Sequence, residues 1–139
     1  MALLTATFLY TGLELSFFSG VYSPTVGFTM ALGAKQLVGL SGVCIGLGEV
    51  LGGVACGLIG TRLRRDAIIL IGFVAHAFAF AAALVNLPDD AVFGETSATS
   101  LLTPPSSVVA LLAAFLLGLG DAAFNTQIIA MLASSFAAR

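Results

Sequence analysis

The sequence AIILIGFVAHAFAFAAALVNL occupies residues 67–87 and contains no Asp, Glu, Lys or Arg. As an α-helix this segment is about 31 Å long, which matches the ~30 Å hydrocarbon core of a bilayer. Three other apolar segments, at 1–22, 36–61 and 108–136, are of similar or greater length. Because lipid offers no hydrogen-bond partners to the backbone, all four segments are predicted to be membrane-spanning helices.

The composition supports this prediction and excludes several classes of protein. Of the 139 residues, 59% are hydrophobic and 9% are charged, whereas an average soluble domain has about 25% charged residues. With a net charge of −2 and five basic residues, the chain lacks the positive charge that nucleic-acid binding requires. We therefore predict an all-α, polytopic transmembrane helix bundle that forms a single domain over residues 1–139.

Charges outside the spans predict the orientation of the chain. The turn at 61–66 contains Arg62, Arg64 and Arg65, whereas the loop at 88–107 contains three acids and no basic residue. Basic loops lie preferentially in the cytoplasm. We therefore expect the arginine turn and the amino terminus to be cytoplasmic and the acidic loop to be non-cytoplasmic.

The second span is rich in glycine. Small residues four apart allow helix backbones to approach closely in a membrane. The pattern predicts helix packing through Gly42, Gly46, Gly48, Gly52, Gly53 and Gly57. Alternatively, so many glycines are typical of a mobile helix in a transporter.

Four ionisable side chains lie within the predicted spans: Glu14, Glu49, His76 and Asp121. A charged, unpaired group costs at least ~2–3 kcal/mol at the bilayer centre, so each is expected to face the bundle or water. The spans contain no Lys or Arg. The acids are therefore expected to be protonated or paired with groups outside this chain.

Asp121 and Asn125 are four residues apart and share one face of a predicted helix. We interpret this pair as part of a polar site that lines a cavity or couples to protons. The full set of candidates is Asp121, Asn125, Gln127, Glu49, Glu14 and His76. Alternatively, Asp121 and Asn125 form interhelical hydrogen bonds that hold the bundle together, and His76 is a satisfied core residue.

Enzyme chemistry is not expected. Gly118-Leu-Gly-Asp121 matches the GxGD pattern of intramembrane aspartyl proteases, but these need a second aspartate on a facing helix, and the other aspartates lie at span ends or in loops. Cys44 and Cys56 lack a metal-ligand spacing. We expect no metal and no cofactor.

Three ordered motifs carry a resemblance to a known family: YTGLELSFFSG at 10–20, GLSGVCIGLGEVLGG at 39–53 and GLGDAAFNTQ at 118–127. With NLPDD at 86–90, they resemble the Unc-93-like branch of the major facilitator superfamily. The resemblance implies a twelve-span fold, of which this chain is similar to spans seven to ten, part of the carboxy-terminal half. This chain departs from the superfamily's loop pattern at Gly57 to Arg65. Its arginines are interpreted as a topology anchor, which holds this turn on the cytoplasmic side.

The resemblance implies a regulatory or trafficking partner of other membrane proteins, such as ion channels or receptors. The alternatives are a secondary transporter of a small solute, with or without proton coupling, and an incomplete chain without activity of its own. We expect the chain to lie in the lipid bilayer and to pair with a missing amino-terminal half, another membrane protein or another copy of itself. The sequence does not name the organelle.

Overall fold

A computed structural model describes residues 2–33, 35–60 and 62–137. Two residues at the ends of predicted spans, Met1 and Thr61, lie outside the described residues. The structure is helical throughout its long elements. These are α1 (Ala2–Phe17), a π-helical segment (Phe18–Tyr22), α2 (Ser23–Phe28), α3 (Gln36–Ile59), α4 (Arg65–Asn86) and α5 (Ser107–Ala137). Short 3₁₀ turns lie at Met30–Leu32 and Asp89–Val92.

The prediction of an all-α membrane bundle is confirmed. By length and composition, α3, α4 and α5 are each able to cross a membrane. The first predicted span corresponds to α1 and the π-helical segment, and helical structure then runs on through α2 to Phe28, beyond the predicted end at 22.

The helix continues past Tyr22 because the π-helical segment accommodates Pro24. Proline has no backbone N–H, so it cannot donate the usual helical hydrogen bond. Immediately before it, the Ser23 N–H bonds to the Phe18 carbonyl, five residues back, and Pro24 then lies in the first turn of α2. Proline is tolerated at that position, so it marks a change of helix geometry instead of a loop.

The last helix is at the centre of the bundle. Both α3 and α4 pack mainly against α5, and α1 also contacts it. In the most apolar 18-residue stretch of each helix, 56% of the α5 residues are buried, compared with 17% of the α3 residues. The buried face of α5 is formed largely by small side chains, among them Ala110, Ala113 and Ala114. These small residues let the neighbouring helices approach closely.

The loop at 88–107 folds back over one end of the bundle. Its Thr96 pairs with the end of α2, with the Met30 N–H donating to the Thr96 carbonyl at 3.0 Å and the Thr96 N–H to the Phe28 carbonyl at 3.0 Å. An exposed ion pair joins Lys35 Nζ to Glu95 Oε1 at 2.8 Å. The hydrogen bond to Glu95, together with its charge, raises the pKa of Lys35, and Lys35 lowers the pKa of Glu95 in turn.

Candidate functional site

A buried acid and a buried histidine meet between α1 and α4. Glu14 is 3% exposed and His76 is 1% exposed, and Glu14 Oε1 lies 2.5 Å from His76 Nε2. The sequence led us to expect that the acids are protonated or paired with groups outside this chain. For Glu14 the second alternative is wrong, because the imidazole of this chain lies beside it.

Two further groups fix the imidazole ring. Its Nδ1 lies 2.7 Å from the Tyr10 hydroxyl, and its Nε2 donates to the Leu117 carbonyl of α5 at 3.1 Å. The Nε2–H therefore points at Leu117, and among the described residues neither oxygen of Glu14 has a hydrogen-bond partner of good geometry. The Glu14 carboxyl group and the His76 imidazole are thus in close contact without an aligned hydrogen bond.

Aromatic rings surround this pair. Phe124 of α5 stacks on the His76 ring with centroids 5.4 Å apart, and it also packs against Tyr10 at 5.1 Å. Phe80 lies one helical turn from His76, at a centroid distance of 6.1 Å. These rings exclude water from the imidazole, which strengthens every electrostatic interaction that it makes.

The other acids lie near the same level of the bundle. Asp121 is 6% exposed and interacts electrostatically with Glu14, Glu49 and His76. Its Oδ2 accepts a hydrogen bond from Asn125 Nδ2 at 2.8 Å. The predicted Asp121–Asn125 pair therefore forms along one helix face and not between helices. Glu49 on α3 is only partly buried.

The GxGD glycines have a packing role. A Cβ at Gly118 would overlap the Ile45 carbonyl of α3, and a Cβ at Gly120 would overlap the His76 ring. Gly118 therefore allows α3 to approach α5, and Gly120 leaves the space that the imidazole occupies. The same motif that suggests protease chemistry in the sequence thus shapes the site around His76.

The glycines of α3 divide into two sets. A Cβ at Gly48 would overlap the Phe115 carbonyl, and one at Gly52 would lie 2.9 Å from Ala122 Cβ, so both face α5. The other four glycines predicted to pack have nothing within 4 Å of the Cβ position apart from the surrounding helix backbone: Gly42, Gly46, Gly53 and Gly57. We call these four the open glycine face of α3.

Comparison with known proteins places this bundle in a family. A family model described as "Ion channel regulatory protein UNC-93" matches residues 1–139, the whole chain. The chain belongs to the UNC-93 family. It is 44% identical over 142 aligned residues to the UNC93-like protein MFSD11 of Xenopus laevis and 42% identical to that of Xenopus tropicalis. No solved structure matches the chain.

The match to these UNC-93 relatives covers 98% of this chain but 32% of each relative. The chain therefore spans about a third of their length. The family assignment and the three long apolar helices together make this a membrane protein.

The remaining candidates of this UNC-93 family chain lie away from the Glu14–His76 pair. Gln127 is buried on α5 at 7% exposure. The three arginines of the turn are exposed, and Arg64 contacts Asp66 at 3.3 Å. Three residues of the site were missed at the sequence level: Tyr10, Leu117 and Gly120. Tyr10 and Gly120 lie in two of the quoted motifs, at 10–20 and 118–127; the Leu117 contribution is a backbone carbonyl, which no residue type reveals.

Proposed function

We propose that this UNC-93 family protein acts as a regulatory or trafficking partner of another membrane protein, such as an ion channel or receptor. The description of the family model, ion channel regulation, supports this role. The observation that carries it is the open glycine face of α3, where Gly42, Gly46, Gly53 and Gly57 lie without neighbours. Because membrane helices associate through small residues, such a face is suited to receive a helix of a partner.

The test fills this face with bulky side chains. Gly46→Leu and Gly53→Leu together are expected to reduce co-purification with a co-expressed potassium channel by at least tenfold, because leucines keep the partner backbone at a distance. Ala77→Leu is the matched control, since Ala77 is exposed on α4. The proposal is wrong if co-purification survives the double substitution, or if the face instead pairs two copies of this chain and binds no channel.

A second candidate function is proton-coupled transport of a small solute. It is favoured by the position of Asp121, which is buried in the membrane part of α5 and interacts electrostatically with Glu14, Glu49 and His76. Ionisable groups at this depth are typical of proton and ion pathways in transporters.

Asp121→Asn tests this second candidate. The amide cannot release a proton, so solute-dependent acidification of proteoliposomes, screened with a panel of small metabolites and a pH-sensitive dye, should be abolished while expression is unchanged. Asp66→Asn is the control, because the Asp66 side chain is exposed outside the bundle. If Asp121→Asn lowers only the abundance of the protein, Asp121 has a structural role.

A further inference from the structure

The hydrogen-bond geometry around His76 allows its ring to hold an additional proton. A doubly protonated imidazole has two N–H donors and needs two acceptors. The Leu117 carbonyl accepts from Nε2 at 3.1 Å. The Tyr10 hydroxyl oxygen, 2.7 Å from Nδ1, is able to accept the second hydrogen.

The alternative position for this proton, on Glu14, is less favourable. A protonated Glu14 would have a hydroxyl to donate, and the acceptor that lies beside it is His76 Nε2, 2.5 Å away. For Nε2 to accept, it must give up its own hydrogen, and its hydrogen bond to the Leu117 carbonyl is then lost. An ionised Glu14, in contrast, has a cationic neighbour 2.5 Å away when His76 is protonated.

The surrounding charges favour the same arrangement. Glu14 on α1, Glu49 on α3 and Asp121 on α5 are all acidic, and Tyr10 is the other titratable group that faces the ring. In the part of the chain that the structure describes, the basic residues lie in loops or, for Arg65, at the first residue of α4. Among these residues, a cation on His76 is therefore the charge that is placed to offset the acids inside the membrane.

We propose that His76 binds a proton within the membrane and holds it as an imidazolium between the Glu14 carboxylate and the Tyr10 hydroxyl. Glu14 supplies the counter-charge, and Tyr10 is a positioning residue that serves both states of the ring. When the ring is protonated, Nδ1–H donates to the Tyr10 oxygen. When the ring is neutral, the Tyr10 hydroxyl rotates and donates to Nδ1.

Tyr10 also provides a route by which the proton leaves. It is only partly buried, whereas Glu14 and His76 are almost completely buried. On release, the Nδ1–H proton passes to the Tyr10 oxygen while the original Tyr10 proton passes to water. One hydronium ion forms, the phenol is regenerated and the imidazole becomes neutral, so atoms and charge balance.

The inference gives a molecular site to the proton-coupled candidate function, but its test requires no transport. His76 is the single histidine of the chain, so ¹⁵N-histidine labelling of the full chain in lipid nanodiscs gives the signal of this ring alone. At pH 7 we expect both ring nitrogens to be protonated. In Glu14→Gln the imidazolium signal at pH 7 should be lost, because a buried cation without its counter-charge releases its proton.

Glu95→Gln is the matched control, since it changes a glutamate in the loop, and it should leave the His76 spectrum unchanged. Tyr10→Phe should reduce the imidazolium signal at pH 7, because Nδ1–H then has no acceptor, and should slow its exchange with water at least tenfold. A neutral His76 in the parent chain at pH 7 overturns the proposal, and so does an unchanged imidazolium signal in Glu14→Gln.

If Glu14→Gln does not fold, which a free-histidine titration near pH 6.5 would reveal, Glu14→Asp replaces it. The shorter carboxylate should weaken the pair and reduce the imidazolium signal at pH 7; an unchanged signal contradicts the proposal. An imidazolium that depends on Glu14, found in a chain that shows no solute-dependent acidification, would establish this site without the transport function.

Discussion

Asn86 shows how one buried polar side chain determines the course of a loop. It is 0% exposed, at the last residue of α4, and it bonds twice to the backbone of Ser106 immediately before α5. Its Nδ2 donates to the Ser106 carbonyl at 3.0 Å, and its Oδ1 accepts from the Ser106 N–H at 2.7 Å. The amide thus joins the two ends of the intervening loop and satisfies a backbone donor and acceptor at once.

Asn86→Ala should therefore be markedly destabilising. The Ser106 N–H would lose its partner, whereas the Ser106 carbonyl would keep the hydrogen bond from the Ala110 N–H. One unsatisfied buried group costs about 1–3 kcal/mol, so we expect the free energy of unfolding in bicelles to fall by about 1–3 kcal/mol. Asn86→Asp keeps the acceptor and removes only the donor, so it should be intermediate if the two bonds are responsible. Equal stability of parent and Asn86→Ala would contradict this role.

At the scale of the element, α3 has two faces that its sequence does not distinguish. Gly48 and Gly52 lie against α5, whereas Gly46 and Gly53 lie in open space. All four occur in the same small-xxx-small spacing, and that spacing is satisfied equally by either face. Which glycines pack is decided by the position of α5, which arises from a distant part of the chain.

Alanine substitutions should separate the two faces. In Gly48→Ala the new methyl group would overlap a backbone carbonyl, which cannot rotate away, so we expect a loss of about 1–3 kcal/mol in the free energy of unfolding. Gly46→Ala should be neutral or stabilising by up to about 1 kcal/mol, because alanine favours the helix. Steric-trapping measurements in bicelles would show this difference; equal effects at the two positions would mean that α3 is rotated.

At the scale of the whole molecule, the sequence was most informative where the membrane restricts the structures that the chain can adopt. Apolar length predicted the helices, and the energetic cost of charge in lipid singled out Glu14 and His76 before any contact was known. Their pairing was not predictable, because it depends on how α1 and α4 lie against α5. Tyr10 was missed because a tyrosine in an apolar helix does not reveal its hydrogen-bond partner.

The orientation of the molecule remains a prediction that follows from its charges. Residues on either side of α4 should react with impermeant thiol reagents from opposite faces of the membrane. In a background with Cys44 and Cys56 replaced by serine, Phe93→Cys, which is 92% exposed, should be labelled from the non-cytoplasmic side. Arg65→Cys should be labelled only after permeabilisation. Labelling of both from one side would contradict the expected topology.

The central position of α5 has a consequence for biosynthesis. The ribosome completes α1, α3 and α4 before α5 leaves the exit tunnel, yet α3 and α4 pack mainly on α5. Until α5 is made, Glu14 and His76 lack the enclosure that Phe124 and Leu117 provide. Assembly of these helices is therefore completed only after the synthesis of α5, and a nascent chain that stops before residue 107 is expected to be a substrate for membrane quality control.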